Sequence, residues 1–477
     1  MDILSYCMNS KLIVIIVAAI VVIGGVAAYL VLSGAFDKKD VGGYGLEVFG
    51  NVDGDNDVDE KDAKLLQEYI DAKAKGTNVP KITVQFADVN NDSKIDSKDV
   101  ECIKKIASGK ATEIRFLDGN GKDMTVSTDI SRIGAEYFCN TELCMILGVI
   151  DKVVAVDFAP YQLKDFYFQN ETQRNNVKNM YSMNSPDYDL INSYDLDILF
   201  SFSYDPDLIY TKQTKLVDCD VVYLGLYTPD LIAAENSSYV HGILKAGYIL
   251  NKVDRAEAYV DWILGQLNYL MDKTKNIAEE DKPHVIMTNY QNSYLSDDAR
   301  TNMTLYNKND PQGQAVIVAG GHNVLWDISE SGYSAEGKYS LAVQYDAVFN
   351  DDPSVYVDYI FCHTVEYTYA GTAMSGVSHG YCTNDYSDFK AAWTFANNKE
   401  MVKEELISAD YLHIDSGDLR NGCSGGVLLA AYIAKIINPD IFSDLDPYKL
   451  HNSYVKDWLG VSGYDVKTDA VVIYKQL

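Results

Sequence analysis

The sequence predicts an α/β architecture of two lobes, with parallel sheets and a long connecting helix. A small α-helical module and an N-terminal transmembrane helix precede them. Three observations carry this. Apolar runs of strand type alternate with helical stretches through the body of the chain. One long helix-periodic segment divides those runs into two sets. An acidic loop followed by a helix occurs twice ahead of them. The 477 residues carry Lys+Arg 40 against Asp+Glu 69, a formal net charge of −29, with 47% apolar residues. Such a chain divides into several domains with sizeable cores and is not disordered throughout. So negative a surface repels phosphate backbones, which argues against nucleic acid as a partner. Eight cysteines without a CxxC or CxxH pattern form neither a disulfide scaffold nor a structural zinc site.

Taken in order, residues 1–36 contain an uncharged run of twenty-one residues, Leu12 to Leu32. As a helix it reaches about 30 Å, the thickness of a bilayer core. The run is long for the h-region of a cleaved signal peptide, and no cysteine follows it to take a lipid. A single-pass anchor in the cell membrane is expected, with the bulk of the chain extracellular.

Residues 44–110 hold the repeat, its copies offset by 37 residues. Oxygen-bearing side chains stand at loop positions 1, 3, 5, 9 and 12: Asn51, Asp53, Asp55, Asp59 and Asp62, then Asp88, Asn90, Asp92, Asp96 and Asp99. Position 7, Asp57 or Lys94, offers its backbone carbonyl, and position 8 is aliphatic, Val58 or Ile95. Calcium, a hard cation taking six to eight oxygens, suits both loops. Asn51 removes a negative charge and weakens the first site. With Asp rather than Glu at position 12 and only the exiting helix, the pair resembles a dockerin domain of the cellulosomal type. That resemblance implies a cohesin-bearing partner.

From Thr112 the text changes. Residues 112–126 read as a hairpin around a DGNG turn. Strands are expected at Val153–Val156, Ile198–Ser201, Val221–Leu224, Val285–Thr288, Val316–Ala319 and Tyr359–Cys362. Between Val253 and Ile277, Ala256, Tyr259, Val260, Ile263, Leu267 and Leu270 fall on one helical face. The expected units are a first lobe at 111–250, a connecting helix at 251–278 and a second lobe at 279–477.

The order of fragments then carries a second resemblance. Ser131-Arg132-Ile133 follows the hairpin; the helix-to-strand text 136–157 ends in ValValAlaValAsp. AspLeuAspIleLeuPhe (195–200), GlyGlyHisAsnVal (320–324) and AsnProAspIlePheSerAspLeuAspPro (438–447) come after it. Together they look like the substrate-binding proteins of ABC importers for ferric siderophores, haem and cobalamin. The resemblance covers about residues 112–462. It implies a two-lobed, non-enzymatic protein that captures a metal chelate and delivers it to an ABC permease. In that family an acidic residue on each lobe meets permease arginines, and by register these are Asp189 and Asp346, here aspartate rather than glutamate.

In open α/β sheets ligands bind at the carboxyl ends of strands. The candidate ligand-binding residues there are Tyr161, Tyr204, Tyr227, Tyr290, His322, His363 and Arg420. Aromatic walls stack on flat groups, and phenol or imidazole groups ligate metals. Only one arginine among them disfavours phosphate or sulfate. With 36 tyrosines in the chain, any of these can instead be a packing residue at a domain edge. No GxSxG, HExxH or Walker pattern signals catalysis. Cys423, with His413 ten residues before it, reads as a buried, inert thiol at a helix start. The rival to transport is surface assembly, in which the dockerin-like module recruits a cohesin.

Overall fold

The computed structural model describes residues 45–203, 205–227, 229–295, 302–325, 340–344, 348, 357–365, 376–397 and 411–475. The amino-proximal module consists of α1 (Glu60–Lys75) and α2 (Ser97–Ala107), each entered from one acidic loop. The aspartate at loop position 9 caps each helix, and the aspartate at position 12 returns the bond. Asp59 with Asp62, and Asp96 with Asp99, thus form capping boxes. The hairpin follows as β1 (Glu113–Leu117) and β2 (Asp123–Ser127), with Ile114 opposite Val126. Residues ahead of the first loop join its free edge. Phe49 N donates to Arg115 O at 2.9 Å, and Leu117 N donates to Glu47 O at 3.0 Å. The module is therefore built onto the body rather than tethered to it.

The first lobe contains β3 (Ile133–Ala135), α3 (Tyr137–Ile146), β4 (Val153–Val156), β5 (Lys178–Asn179), β6 (Ile198–Ser201), α4 (Pro206–Lys215) and β7 (Asp220–Tyr223). Its sheet runs β5-β4-β3-β6-β7, all parallel. ILFS in β6 is buried at every position, which a parallel strand covered on both faces requires. Two helices then cross to the second lobe, α5 (Ser238–Ile249) and α6 (Val253–Thr274). The expected face of α6 is the buried one, from Ala256 to Leu270.

The second lobe contains β8 (His284–Asn289), β9 (Asn302–Tyr306), α7 (Pro311–Val318), β10 (His322–Asn323), β11 (Ser340–Gln344), β12 (Tyr359–Thr364), β13 (Leu412–Ser416), α8 (Val427–Ile437) and β14 (Ile473–Tyr474). Strands β8, β12 and β13 are parallel, and β9, β11 and β14 extend the sheet antiparallel at its edges. The strand expected at Val316–Ala319 is instead the end of α7. Asp310 caps that helix and Pro311 opens it, and seven of its eight residues are buried, so its short apolar run imitates a core strand.

The lobes meet on a glycine-rich segment, Gly422 to Gly426. Glu142 of α3 accepts from Cys423 N at 2.7 Å, from Tyr167 OH at 3.0 Å and from the Tyr454 hydroxyl. Cys423 O in turn accepts from Tyr259 OH of α6 at 2.7 Å and from the Tyr239 hydroxyl of α5. Burial pushes the Glu142 carboxyl up to about 7. An added Cβ would stand 2.5 Å from the Glu142 carboxylate at position 422, and 2.8 Å from the Tyr239 ring at Gly425.

The membrane expectation is corrected. Among the described residues no helix is long and apolar enough to cross a membrane. The run Leu12–Leu32 lies outside them.

Candidate functional site

At the carboxyl end of β3 the chain turns sharply, and Tyr137 takes φ +70°, a left-handed conformation costly for a side chain with a Cβ. Its N–H donates to Asp157 Oδ1 at 2.7 Å, which holds the turn. Burial raises the Asp157 carboxyl to about 7, against that bond. Beneath the turn, Glu136 and Lys212 form a fully buried ion pair at 2.6 Å, and Glu136 also accepts from Ser201 Oγ and Phe202 N. The strain aims the Tyr137 ring at the lobe junction. There it stacks on Phe202 with centroids 4.3 Å apart, and Tyr227 meets both rings edge-on. From the second lobe, the Arg420 guanidinium lies 3.8 Å over the Tyr227 ring and pairs with Asp310 at 2.6 Å. Arg420 is thus already neutralised by Asp310.

The carboxyl ends of the second sheet bring His363 of β12 opposite Asp415 of β13 and Asn289 of β8. His363 Nδ1 lies 3.7 Å from Asp415 Oδ2, and neither the nitrogen nor either carboxylate oxygen has a hydrogen-bond partner. Burial raises the Asp415 pKa while the neighbouring His363 opposes it. His379 Nδ1 meets Ser416 Oγ at 2.8 Å and its Nε2 has no partner. Burial, with the His363 charge added, depresses the His379 ring to about 3. Tyr306 stands edge-on to His363 at 6.2 Å and receives a bond from Asn289 Nδ2 at 3.3 Å. These buried imidazole and carboxylate groups keep atoms without hydrogen-bond partners, and their chemistry is of the metal-ligating type.

The structure therefore unites Tyr227 and Arg420 at the lobe junction and places His363 at the strand ends of the second lobe. It does not gather the other candidates there. Tyr161 lies on a short helix, Phe158–Gln162, with the Lys164 ammonium 4.8 Å from its ring. Tyr290 is a core residue, 5% exposed and stacked on Tyr294, because the chain turns into the packed side of the sheet after β8. His322 is at the wrong end. It pairs with His284 at the amino end of β8 and with Glu279 at 2.8 Å, because Gly320-Gly321 ends a helix rather than a strand. Tyr204 and Asp346 lie outside the described residues. Asp189 is exposed on the short helix Tyr188–Asn192. Sequence reading missed Tyr137, Asp415 and His379. Only Asp415 left a signal, a carboxylate in the short apolar strand LeuHisIleAspSer before a glycine. The seven described cysteines are all free. Cys423 is fully buried with its thiol pushed well up, the state of an inert thiol.

The two acidic loops differ. In the first, ligand-type oxygens of Asp57, Asp59 and Asp62 lie within 4.8 Å of one another, the single such group among the described residues. Asp57 Oδ1 is buried without a hydrogen-bond partner. Burial and neighbouring carboxylates raise the pKa of Asp55 and Asp57, and burial takes Asp62 to about 7. Lys61 pairs with Asp59 at 2.9 Å, and the remaining clustered carboxylate oxygens, with Asp57 Oδ1 lacking a hydrogen-bond partner, fit a divalent cation. Asn51 does not offer its amide nitrogen to the loop centre. It donates to Leu46 O and Asp55 O while its oxygen accepts from Gly54 N. In the second loop, Asp88 accepts from Asp92 N and Ser93 N, and Lys98 pairs with Asp92 at 3.3 Å. The tighter donor cluster is thus in the first loop, despite Asn51.

Residues 50–106 match the dockerin type I domain. No curated protein matches the chain. Solved structures similar in fold include the TroA-like periplasmic binding protein FepB from Veillonella parvula. It is 14% identical, with a TM-score of 0.55 over 75% of this chain and 98% of that one. Helicobacter pylori CeuE with Ni(II) bound is 15% identical, with a TM-score of 0.51 over 74% of this chain and 98% of that one. The Haemophilus influenzae molybdate-binding protein MolA is 16% identical, with a TM-score of 0.50 over 73% of this chain and 99% of that one. The chain thus joins a dockerin type I match to a body with the fold of TroA-like periplasmic binding proteins.

Proposed function

We propose that this dockerin-bearing chain with a binding-protein body is a solute-binding protein that captures a metal chelate and delivers it to an ABC permease. The observation that carries the reading is the junction itself. Tyr227, packed on Tyr137 and Phe202, meets Arg420 across the lobes, and the buried His363–Asp415 pair stands at the strand ends of the second sheet. Tyr227, the half-buried member of the aromatic group, suits contact with a planar or catecholate group, and the His363–Asp415 pair suits its metal. Exposed Asp189 is the residue on the first lobe to meet a permease arginine. Calcium is the cofactor of the amino-proximal module, held by Asp53, Asp55, Asp57, Asp59 and Asp62 in the first loop and by their counterparts Asn90, Asp92, Asp96 and Asp99 with Asp88 in the second. Its chemistry there is structural, neutralising carboxylates the fold has crowded together.

Titration of the chain's tryptophan fluorescence with haem, cobalamin and ferric catecholate or hydroxamate chelates tests the reading. Saturable quenching by one of them, weakened at least about tenfold in Arg420→Met, is expected. Failure of every chelate sinks it. A second reading, assembly through a cohesin, is favoured by the dockerin match alone. Calcium-dependent capture of a cohesin module by the chain would support it.

A further inference from the structure

The first calcium loop does not face solvent on all sides. Its position 6 residue, Asn56, meets His241 Nε2 at 3.1 Å and donates to Glu235 O at 3.3 Å. At position 8, Val58 N donates to Tyr248 OH at 2.7 Å. The residue between these two anchors is Asp57, whose carbonyl is a ligand position and whose Oδ1 is buried without a partner. Just before the loop, Glu47 pairs with Lys245 at 3.0 Å. His241, Lys245 and Tyr248 are spaced i, i+4, i+7, so a single face of α5 receives the 56–58 segment and Glu47. On the opposite side of the same helix, Tyr239 donates to Cys423 O of the second lobe. The α6 residue Glu257 lies close enough to Asp57 for the two charges to repel.

We propose that calcium in the first loop acts on the chain's own binding body, pinning α5 and through it the lobe junction. The interaction surface is the loop's 56–58 segment, and its partner is the α5 face of the same chain. Without a cation, Asp53, Asp55, Asp57 and Asp59 repel one another, offset in part by Lys61 beside Asp59, and Asp57 also repels Glu257; that repulsion pushes against the contacts with His241 and Tyr248. With one, the repulsion is removed and the contacts hold. Among the described hydrogen bonds none joins any residue of the second loop, 88–99, to α5, so the role falls to the first loop. The inference rests on the calcium reading and is independent of what the cleft carries.

Hydrogen exchange of the full chain in sub-denaturing urea, with calcium or with chelator, is read alongside calorimetric calcium titration. Calcium is expected to slow exchange across residues 238–249 about tenfold. Tyr248→Phe, which keeps the ring and loses the acceptor, should bind calcium within about threefold of the parent yet lose most of that response. Asp92→Asn should keep it. Calcium binding with unchanged exchange in 238–249 overturns the inference alone, as does a parent-like response in Tyr248→Phe or its loss in Asp92→Asn. No calcium binding at all overturns the calcium reading and this inference together.

Discussion

Two junctions bear on the first lobe, and they are built from opposite materials. The lobe–lobe junction is buried, with Glu142, Tyr239 and Tyr259 closing on the backbone of Cys423 and Tyr454 donating to Glu142. The module junction is charged and partly open, with one hydroxyl, one imidazole and one ion pair holding a loop of carboxylates. Helix α5 serves both. The difference teaches that a protein can fix one contact by packing and leave another to an ion, using residues a few positions apart on one helix.

The sharpest way to break the contrast is Gly425→Ala. Its φ is +62° and the new methyl would stand 2.8 Å from the Tyr239 ring. Strain and overpacking together should cost about 3 kcal/mol, read as a drop in the urea midpoint. A variant as stable as the parent would show that the buried junction yields easily.

Next comes the pH dependence of Glu142→Gln. The native carboxyl sits at about 7 against 4.5 for the free group, chiefly through burial. A raised carboxyl pKa means that the folded chain keeps a proton the unfolded chain has already lost. The stability is therefore complete below pH 4.5 and is lost as pH rises through 7. The parent should lose up to about 3 kcal/mol from this group between pH 5 and 8, and the Gln variant should not. Parallel pH curves for the two proteins would remove Glu142 as the cause.

The smallest effect is expected at the module junction. Lys245→Met replaces a buried ammonium whose partner Glu47 is about a third exposed. Glu47 can turn to water, so the change should stay within about 1 kcal/mol by urea unfolding. A loss as large as that of Gly425→Ala would mean the two junctions are equally dependent on packing.

Much of this frame can be read in the residues. Strands β4 and β6 begin and end where their apolar runs do, and the buried stripe of α6 is the one its spacing marks, because burial on a sheet or helix face leaves a period in the text. The paired loops are legible for a similar reason, since oxygen ligands need fixed spacing. Other features leave no period. Pro311–Val318 is buried almost all round, so a helix there looks like a strand. The left-handed turn at Tyr137 is set by Asp157, twenty residues away, and nothing local in the sequence announces it. His322 and Tyr290 were misplaced because a strand's end can be located only when the strand itself is right. In the three-carboxylate cluster of the first loop, Asp59 and Asp62 are held together by their capping box, while Asp57 stands between two residues bonded to α5, a tertiary fact that Asn51 by itself could not reveal.

The lobe junction also has a place in time. Glu142 bonds to residues 281 and 312 positions further along, Cys423 and Tyr454. Contacts so distant in the chain form late, after the loop-closure entropy between them has been overcome. On a ribosome, the first lobe must hold Glu142 with Tyr167 alone until Cys423 and Tyr454 have emerged. The polar lock that orients one lobe on the other is thus a late step, and the synthesis of Tyr454 sets its clock.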